Sequence, residues 1–451
     1  MKIGRLPAHV AMALTLGLME AAAAESTQSA NRYTTRPNLD GVSETGSQSR
    51  APLVVGPNRP IVIKAGAQSE TTIAVDPTNS RHLLAASNDL ANTTSFTNVK
   101  ESTDGGQTWV SAGVSINTFC YDPWIAFNSN GDAFFAYECS DQRLGYRLAG
   151  TTNWVHKTLQ SSSLGPDRDM VVADTHPGSP FFNSVYVGYD EGAANNAAHV
   201  WYSRDGIGTW TKSPKINDSG QTIGVNAAVC PDGSVYAFWL DWLTRKLWVD
   251  RSADGGATWG TDHLVTNFRL NTTPFFVLIP PQPDRGVLAM PFSDCAPAGT
   301  EFAGRLYVTY FEKSPTSADT DVYVRHSDDG GVTWSPEVEV DDETASAYQF
   351  HTNISVGPDG TVAVSFYDTR RDVPNNKKTD RFMAFSTDGG DTWLNQKLTS
   401  VQSDESGAGD PNDYGDYQGI DARPDTGFWG DWTDSRTGTK REDVIGVAAR
   451  P

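Results

Sequence analysis

The sequence predicts an all-β protein: a β-propeller of four-stranded antiparallel blades, seven by repeat count, with six as the alternative. Three observations predict it. The octet Ser-x-Asp-Gly-x-x-Thr-Trp occurs at 102–109, 203–210, 252–259, 327–334 and 386–393. A second element, an apolar run, a Gly or Pro turn and another apolar run ending in an acid, recurs seven times with a mean step of about 58 residues, the size of a blade with generous loops. Composition agrees: 41 Gly, 13 Trp, 15 Tyr and 19 Phe in 451 residues suit short strands joined by tight turns. Two stacked sandwich domains also fit regular strand spacing but leave the octet unexplained.

Charge and hydropathy exclude several classes. With 35 Lys+Arg against 55 Asp+Glu the net charge is −20, so no positive field exists to gather nucleic acid or an anionic membrane surface. Residues 1–24 read as a signal peptide. Lys2 and Arg5 precede an apolar run of about 12 residues, too short to span a bilayer, and small residues at 21–24 set cleavage after Ala24. No later segment qualifies as a membrane span. Residues 25–50, rich in Ser, Thr, Asn and Gln, cannot bury enough apolar surface to order themselves and read as a disordered leader.

The propeller then occupies 51–451. The seven units begin near Thr71, Trp124, Met170, Asn226, Val287, Asn353 and Gly419. Each octet has the chemistry of a hairpin tip: Asp accepts turn N–H groups, glycines take positive φ, and Thr and Trp resume a strand. Unit two has only the remnant 145–154. The last unit ends after three strands, so the strand within 51–63 supplies the fourth and closes the ring, where Pro52, Pro57 and Pro60 suit an outermost position.

Four cysteines in an exported chain make two disulfides, with three connectivities open. Cys120 precedes the first strand of unit two and Cys139 follows its second, ends that antiparallel pairing brings together. This leaves Cys230 with Cys295, each after the first strand of consecutive units.

The octets resemble the Asp boxes, or BNR repeats, of the sialidase-like propeller superfamily, over about residues 65–450. True sialidases typically have six blades. The resemblance implies an exo-acting glycoside hydrolase with an arginine triad, a Tyr–Glu nucleophile pair and an Asp acid/base.

In a meandering blade the octets fall on the face opposite that where each inner strand begins, and two sets of residues converge on the latter, here called the upper face. One opens the inner strands: Glu70, Tyr121, Asp122, Asp167, Arg168, Asp169, Asn226, His351, Asn353, Tyr414, Asp416 and Tyr417. The other ends the second strands: Asp89, Glu138, Asp190, Glu191, Asp241, Glu312, Asp368 and Asp434. A seven-fold acid is as readily a loop cap as a ligand. Arginines break the repetition at Arg168, Arg370, Arg371 and Arg436, and guanidinium forks are what a sugar carboxylate needs.

Carried onto this chain, the resemblance implies Arg168, Arg370 and Arg436 as the triad. Tyr417 becomes the nucleophile with Glu70 as its partner, and Asp122 or Asp169 the acid/base. Tyr367, Asp368 and Asp434 stand beside the substrate. The Arg-Ile-Pro signature expected at the first inner strand is replaced by Glu70-Thr71-Thr72-Ile73. The expected function is hydrolysis of a terminal, more readily acidic, sugar. The alternatives are a non-catalytic glycan- or protein-binding propeller and a uronate-specific polysaccharide lyase using Tyr or His as base. No cofactor is required. The acid-rich loops 341–343 and 404–416 are candidates for structural Ca²⁺, although neither has EF-hand spacing. No motif for zinc proteases, P-loop hydrolases or α/β-hydrolases occurs. Nothing in the sequence sets the oligomeric state.

Overall fold

Six complete four-stranded antiparallel sheets and a seventh built from both chain ends form a seven-bladed propeller in the computed structural model. It describes residues 54–450, except 65, 91–96, 117, 162–164, 193–195, 272–275, 344–345, 407–413 and 437–442. The signal peptide and leader read from 1–50 lie outside the described residues. No described helix is long and apolar enough to cross a membrane.

The innermost strands are Thr72–Val75, Tyr121–Phe127, Pro166–Ala173, Thr222–Val229, Phe292–Cys295, Gln349–Val356 and Ile420–Ala422. The second strands, such as Val235–Asp241 and Val362–Asp368, are buried along their whole length. Neighbouring blades cover both faces of each sheet, so these strands read as continuous apolar runs rather than alternating ones. Fourth strands such as Val110–Ser111 are short and exposed, which blunts the outer edge.

In the seventh blade, Asp443–Arg450 pairs with Phe428–Asp434 on one side. On the other it takes two N-terminal strands, Val54 opposite Arg450 and Arg59 opposite Gly446. Pro60 lies in the second of these, an edge strand with a free side. The fifth unit differs from the sequence reading. Val287 belongs to a separate hairpin, Phe276–Ile279 with Gln282–Leu288, and the inner strand starts at Phe292. The apolar run 287–290 resembles an inner strand, but its partner is local.

The octets form the hairpin tips on the lower face. In the first, Thr108 N and Oγ1 donate to Asp104 at 2.9 and 2.6 Å, while Gly106 N donates to Ser102 Oγ. These bonds, led by that of the Thr108 side chain, lower the Asp104 pKa to about 2. The copies at Asp254, Asp329 and Asp388 repeat the pattern. In the variant copy, Asp205 instead takes Ile207 N and Gly208 N. Their tryptophans join blades: Trp109 meets Trp429 edge-on at 6.3 Å, and Trp334 meets Phe238 at 5.8 Å. In blade two, which lacks an octet, Trp154 Nε1 donates to Ala112 O of blade one.

Both disulfides form as read, Cys120–Cys139 within blade two and Cys230–Cys295 between blades four and five. They fit an oxidising compartment.

Candidate functional site

The inner strands share a local distortion at their upper ends. Pairing with the second strand shifts register between Tyr121 and Trp124, Asp167 and Met170, Ile223 and Asn226, and Phe350 and Asn353. Each shift holds one residue at positive φ: Asp122 (53°), Arg168 (60°), Gly224 (67°) and His351 (46°). Glu70 (53°) occupies the same place before Thr72. Positive φ costs a non-glycine residue about 1–3 kcal/mol and clusters at functional sites. Here four such residues, two acids, a guanidinium and an imidazole, form a collar around the propeller axis.

Two bridges join the collar. Asp416 accepts from Arg168 Nη2 at 2.7 Å and pairs with Arg285 Nη1 at 2.7 Å. Burial opposes the charge of Asp416, but Arg285 and Arg168 outweigh it and hold its pKa well below the carboxylate range. Asn88 forms the second bridge: its Nδ2 donates to Glu70 Oε2, and its Oδ1 accepts from Asp122 N at 3.1 Å. Gly415, at φ +69°, lets the chain press on Glu70, since a Cβ there would sit 2.4 Å from Glu70 Cγ.

Glu70 is buried, and its pKa is raised well above the ordinary value. Burial is the main cause, followed by the charges of Asp122 and Asp416 and a hydrogen bond to Asp122 that needs a shared proton. Glu138 and Asp169 are raised likewise, first by burial and then by surrounding carboxylates. His351, 2% exposed, is kept neutral, its pKa lowered to about 3 by burial, and neither ring nitrogen has a hydrogen-bond partner.

Tyr417 lies beside the collar, but its hydroxyl donates to Pro123 O at 3.1 Å. Burial and the charges of Asp122 and Glu70 push its phenol far above 10, the reverse of what a phenolate nucleophile needs. Trp124 fills the axis beneath, 5.1 Å from the Tyr417 ring and stacked on Phe292 at 5.9 Å. Below it the inner strands enclose a channel of about 480 Å³ that opens on the lower face past His176 and Arg423. The collar residues do not line it. Its half-buried acids are structural: Asp294 accepts from Val356 N and Asp421 from Val75 N, each at 2.7 Å across a blade boundary.

The sequence-predicted residues therefore divide. Glu70, Asp122, Arg168 and Tyr417 come together. Asp169 turns to Gln142 Nε2 at 2.7 Å. Arg370 is held by Asp368 and Asp342, and Arg436 by Asp434 and Asn58, so neither shares a partner with Arg168. The arginine triad does not assemble, because each of these guanidiniums neutralises a buried aspartate two residues back. Tyr367, fully buried, donates to Thr433 O at 2.8 Å. Most second-strand acids cap loops: Asp434 accepts Arg436 N, Asp241 accepts Thr244 N, and Glu312 accepts Arg269 N. Arg285 and Asn88 escaped the sequence reading. Arg285 lies in the hairpin inserted ahead of the fifth inner strand, while Asn88 stands one residue before the repeated acid.

No family model matches the chain, and no curated protein matches it. Solved structures do. A fungal alcohol oxidase of the AA5 family in complex with copper aligns over 88% of this chain and 76% of its own, with 12% identity and a TM-score of 0.52. YCF48 bound to D1 peptide covers 89% and 96%, at 14% identity and 0.49. A Hadza microbial sialidase covers 67% and 63%, at 15% identity and 0.42. The chain is similar to these in fold alone.

Proposed function

We propose that the protein is an exported carbohydrate-active hydrolase that cleaves a terminal sugar at the upper-face collar, with Glu70 as the proton donor. One observation carries the reading: Glu70, a carboxyl whose pKa burial raises well above the ordinary value, is bridged by Asn88 to Asp122, and both acids are held by strained backbone. Glycoside cleavage needs this division of labour. A protonated acid gives its proton to the leaving oxygen, and a second carboxylate supports the positive charge that develops on the sugar ring. Tyr417 serves as a positioning residue through Pro123, and Asn88 aligns both acids.

The charge balance favours an uncharged sugar over the acidic one implied by the resemblance. Arg285 directs its charge to Asp416 and Arg168 to both Asp416 and Asp167, while Glu70, Asp122, Glu138 and Asp169 add further acids around them. Export rests on the two disulfides and the apolar, small-residue pattern of 1–24.

The test is product analysis of the purified protein against neutral- and acid-terminated oligosaccharides. Reducing-sugar release from neutral termini is expected, falling at least about 100-fold in Glu70→Gln. New ultraviolet absorbance of an unsaturated uronate, or binding without turnover, would overturn the reading.

A further inference from the structure

We propose a structural Ca²⁺ site at the upper, outer corner of blade five, formed by Asp321, Asp341 and Glu343. Asp321 opens the third strand, Thr320–Ser327, while Asp341 and Glu343 follow the fourth, Val338–Glu339. A blade's third strand begins, and its fourth ends, on the same face, so the meander itself brings these acids together. One carboxylate oxygen from each lies within 4.8 Å of the other two. Oxygens that bind one calcium at about 2.4 Å stand at most about 4.8 Å apart, so the three fit a single ion.

A second observation points to a ligand. Asp341 is 5% exposed; its Oδ2 accepts from Val322 N at 2.9 Å, but its Oδ1 has no hydrogen-bond partner. Asp319, 3% exposed and two residues before Asp321, likewise has an unpartnered Oδ1. Buried carboxylate oxygens left without donors are costly, and a cation satisfies them.

The nearby basic side chain is engaged elsewhere: Arg370 pairs with Asp342 and Asp368. All candidate ligands are oxygens, with no His or Cys, which suits a hard cation and not zinc. Tyr323, whose hydroxyl donates to Asp321 Oδ2 at 2.9 Å, provides an optical reporter. The site also fastens blades five and six, where Thr320 Oγ1 donates to Gln349 O at 2.7 Å.

The experiment titrates chelator-treated full-length protein with CaCl₂ by calorimetry, and with Tb³⁺ while following emission sensitised by Tyr323. We expect saturable binding and a calcium-dependent rise in Tm. Both should weaken at least about tenfold or vanish in Asp341→Asn and in Glu343→Gln, and persist in Glu138→Gln, which alters the other carboxylate cluster, at Asp122, Glu138 and Asp167. Glu343 is only partly buried, so its variant keeps the test decisive if Asp341→Asn fails to fold. No saturable binding at millimolar calcium, or binding unchanged in Glu343→Gln, would overturn the proposal.

Discussion

Arg168 of blade three donates to Asp416 Oδ2 at 2.7 Å, linking residues 248 apart in sequence at the propeller axis. Arg285 approaches the other oxygen from the inserted hairpin. The three charges are mutually dependent because none is free to seek water.

Asp416→Asn would therefore take from Arg285 its paired carboxylate and leave Arg168 with Asp167 alone, both in a buried setting. A loss of about 3–5 kcal/mol is expected, measurable by urea unfolding. A loss under about 1 kcal/mol would show that Asp416 does not hold the collar together.

Stability should depend on pH through His82. It lies between Asp76 at 2.9 Å and Glu101 at 2.8 Å, and these bonds, Asp76 first, raise its pKa from 6.5 to about 9. A raised histidine stabilises fully below its unfolded value and loses that contribution as pH rises through the folded one, here between 6.5 and about 9. Glu101 has the opposite sign. Burial opposes its charge, but bonds from His82 and Arg147 outweigh this and lower its pKa from 4.5 to about 2, so its contribution fades as pH falls through that interval. Tm should be highest between about pH 4.5 and 6.5, and His82→Gln should remove most of the alkaline fall. A similar fall in the variant would assign the pH dependence to other groups.

The two glycines of the first octet separate strain from packing. Gly105 and Gly106 have φ of +77° and +79°, but a Cβ at Gly105 meets nothing within 4 Å, whereas at Gly106 it would lie 2.1 Å from Trp429 Cζ2. Gly105→Ala should cost about 1–2 kcal/mol from backbone strain alone. Gly106→Ala should cost about 1–3 kcal/mol more, because Trp429 must move. Equal losses in thermal unfolding would mean that Trp429 yields freely.

The disulfides should differ in worth. Cys230–Cys295 closes 65 residues of chain and Cys120–Cys139 closes 19. Loop-closure entropy then gives about 4 and about 3 kcal/mol. Paired Cys→Ser variants, compared by denaturant midpoint, should rank in that order. The reverse order would show that native-state interactions, not the unfolded chain, set the difference.

The fold was legible because it is repetitive and local. Each octet needs only Ser, Asp, Gly and Thr within eight residues to bond itself into a turn, so Ser102 to Thr108 announces a hairpin whatever surrounds it. Cys120 and Cys139 were pairable for the same reason: antiparallel strands bring their ends together. The fifth unit was misplaced because the apolar residues Val287 and Leu288 have the composition of an inner strand, and composition does not reveal which neighbour completes the pairing.

The site was legible only in part. Glu70, Asp122, Arg168 and Tyr417 could be assigned to one face from topology, but a face is broad, and Arg370 and Arg436 share it while serving Asp368 and Asp434. The sequence alone determined the strand rhythm, the ring of blades and the lower-face hairpins, and it favoured the Cys120–Cys139 pair, since all depend on short-range chemistry along the chain. Only the tertiary structure decided that Asp416 takes both axial arginines, that burial raises the pKa of Glu70, and that Tyr417 is bonded to Pro123. Charge state and pairing depend on burial and on partners far away in sequence, and both exist only once the ring has closed.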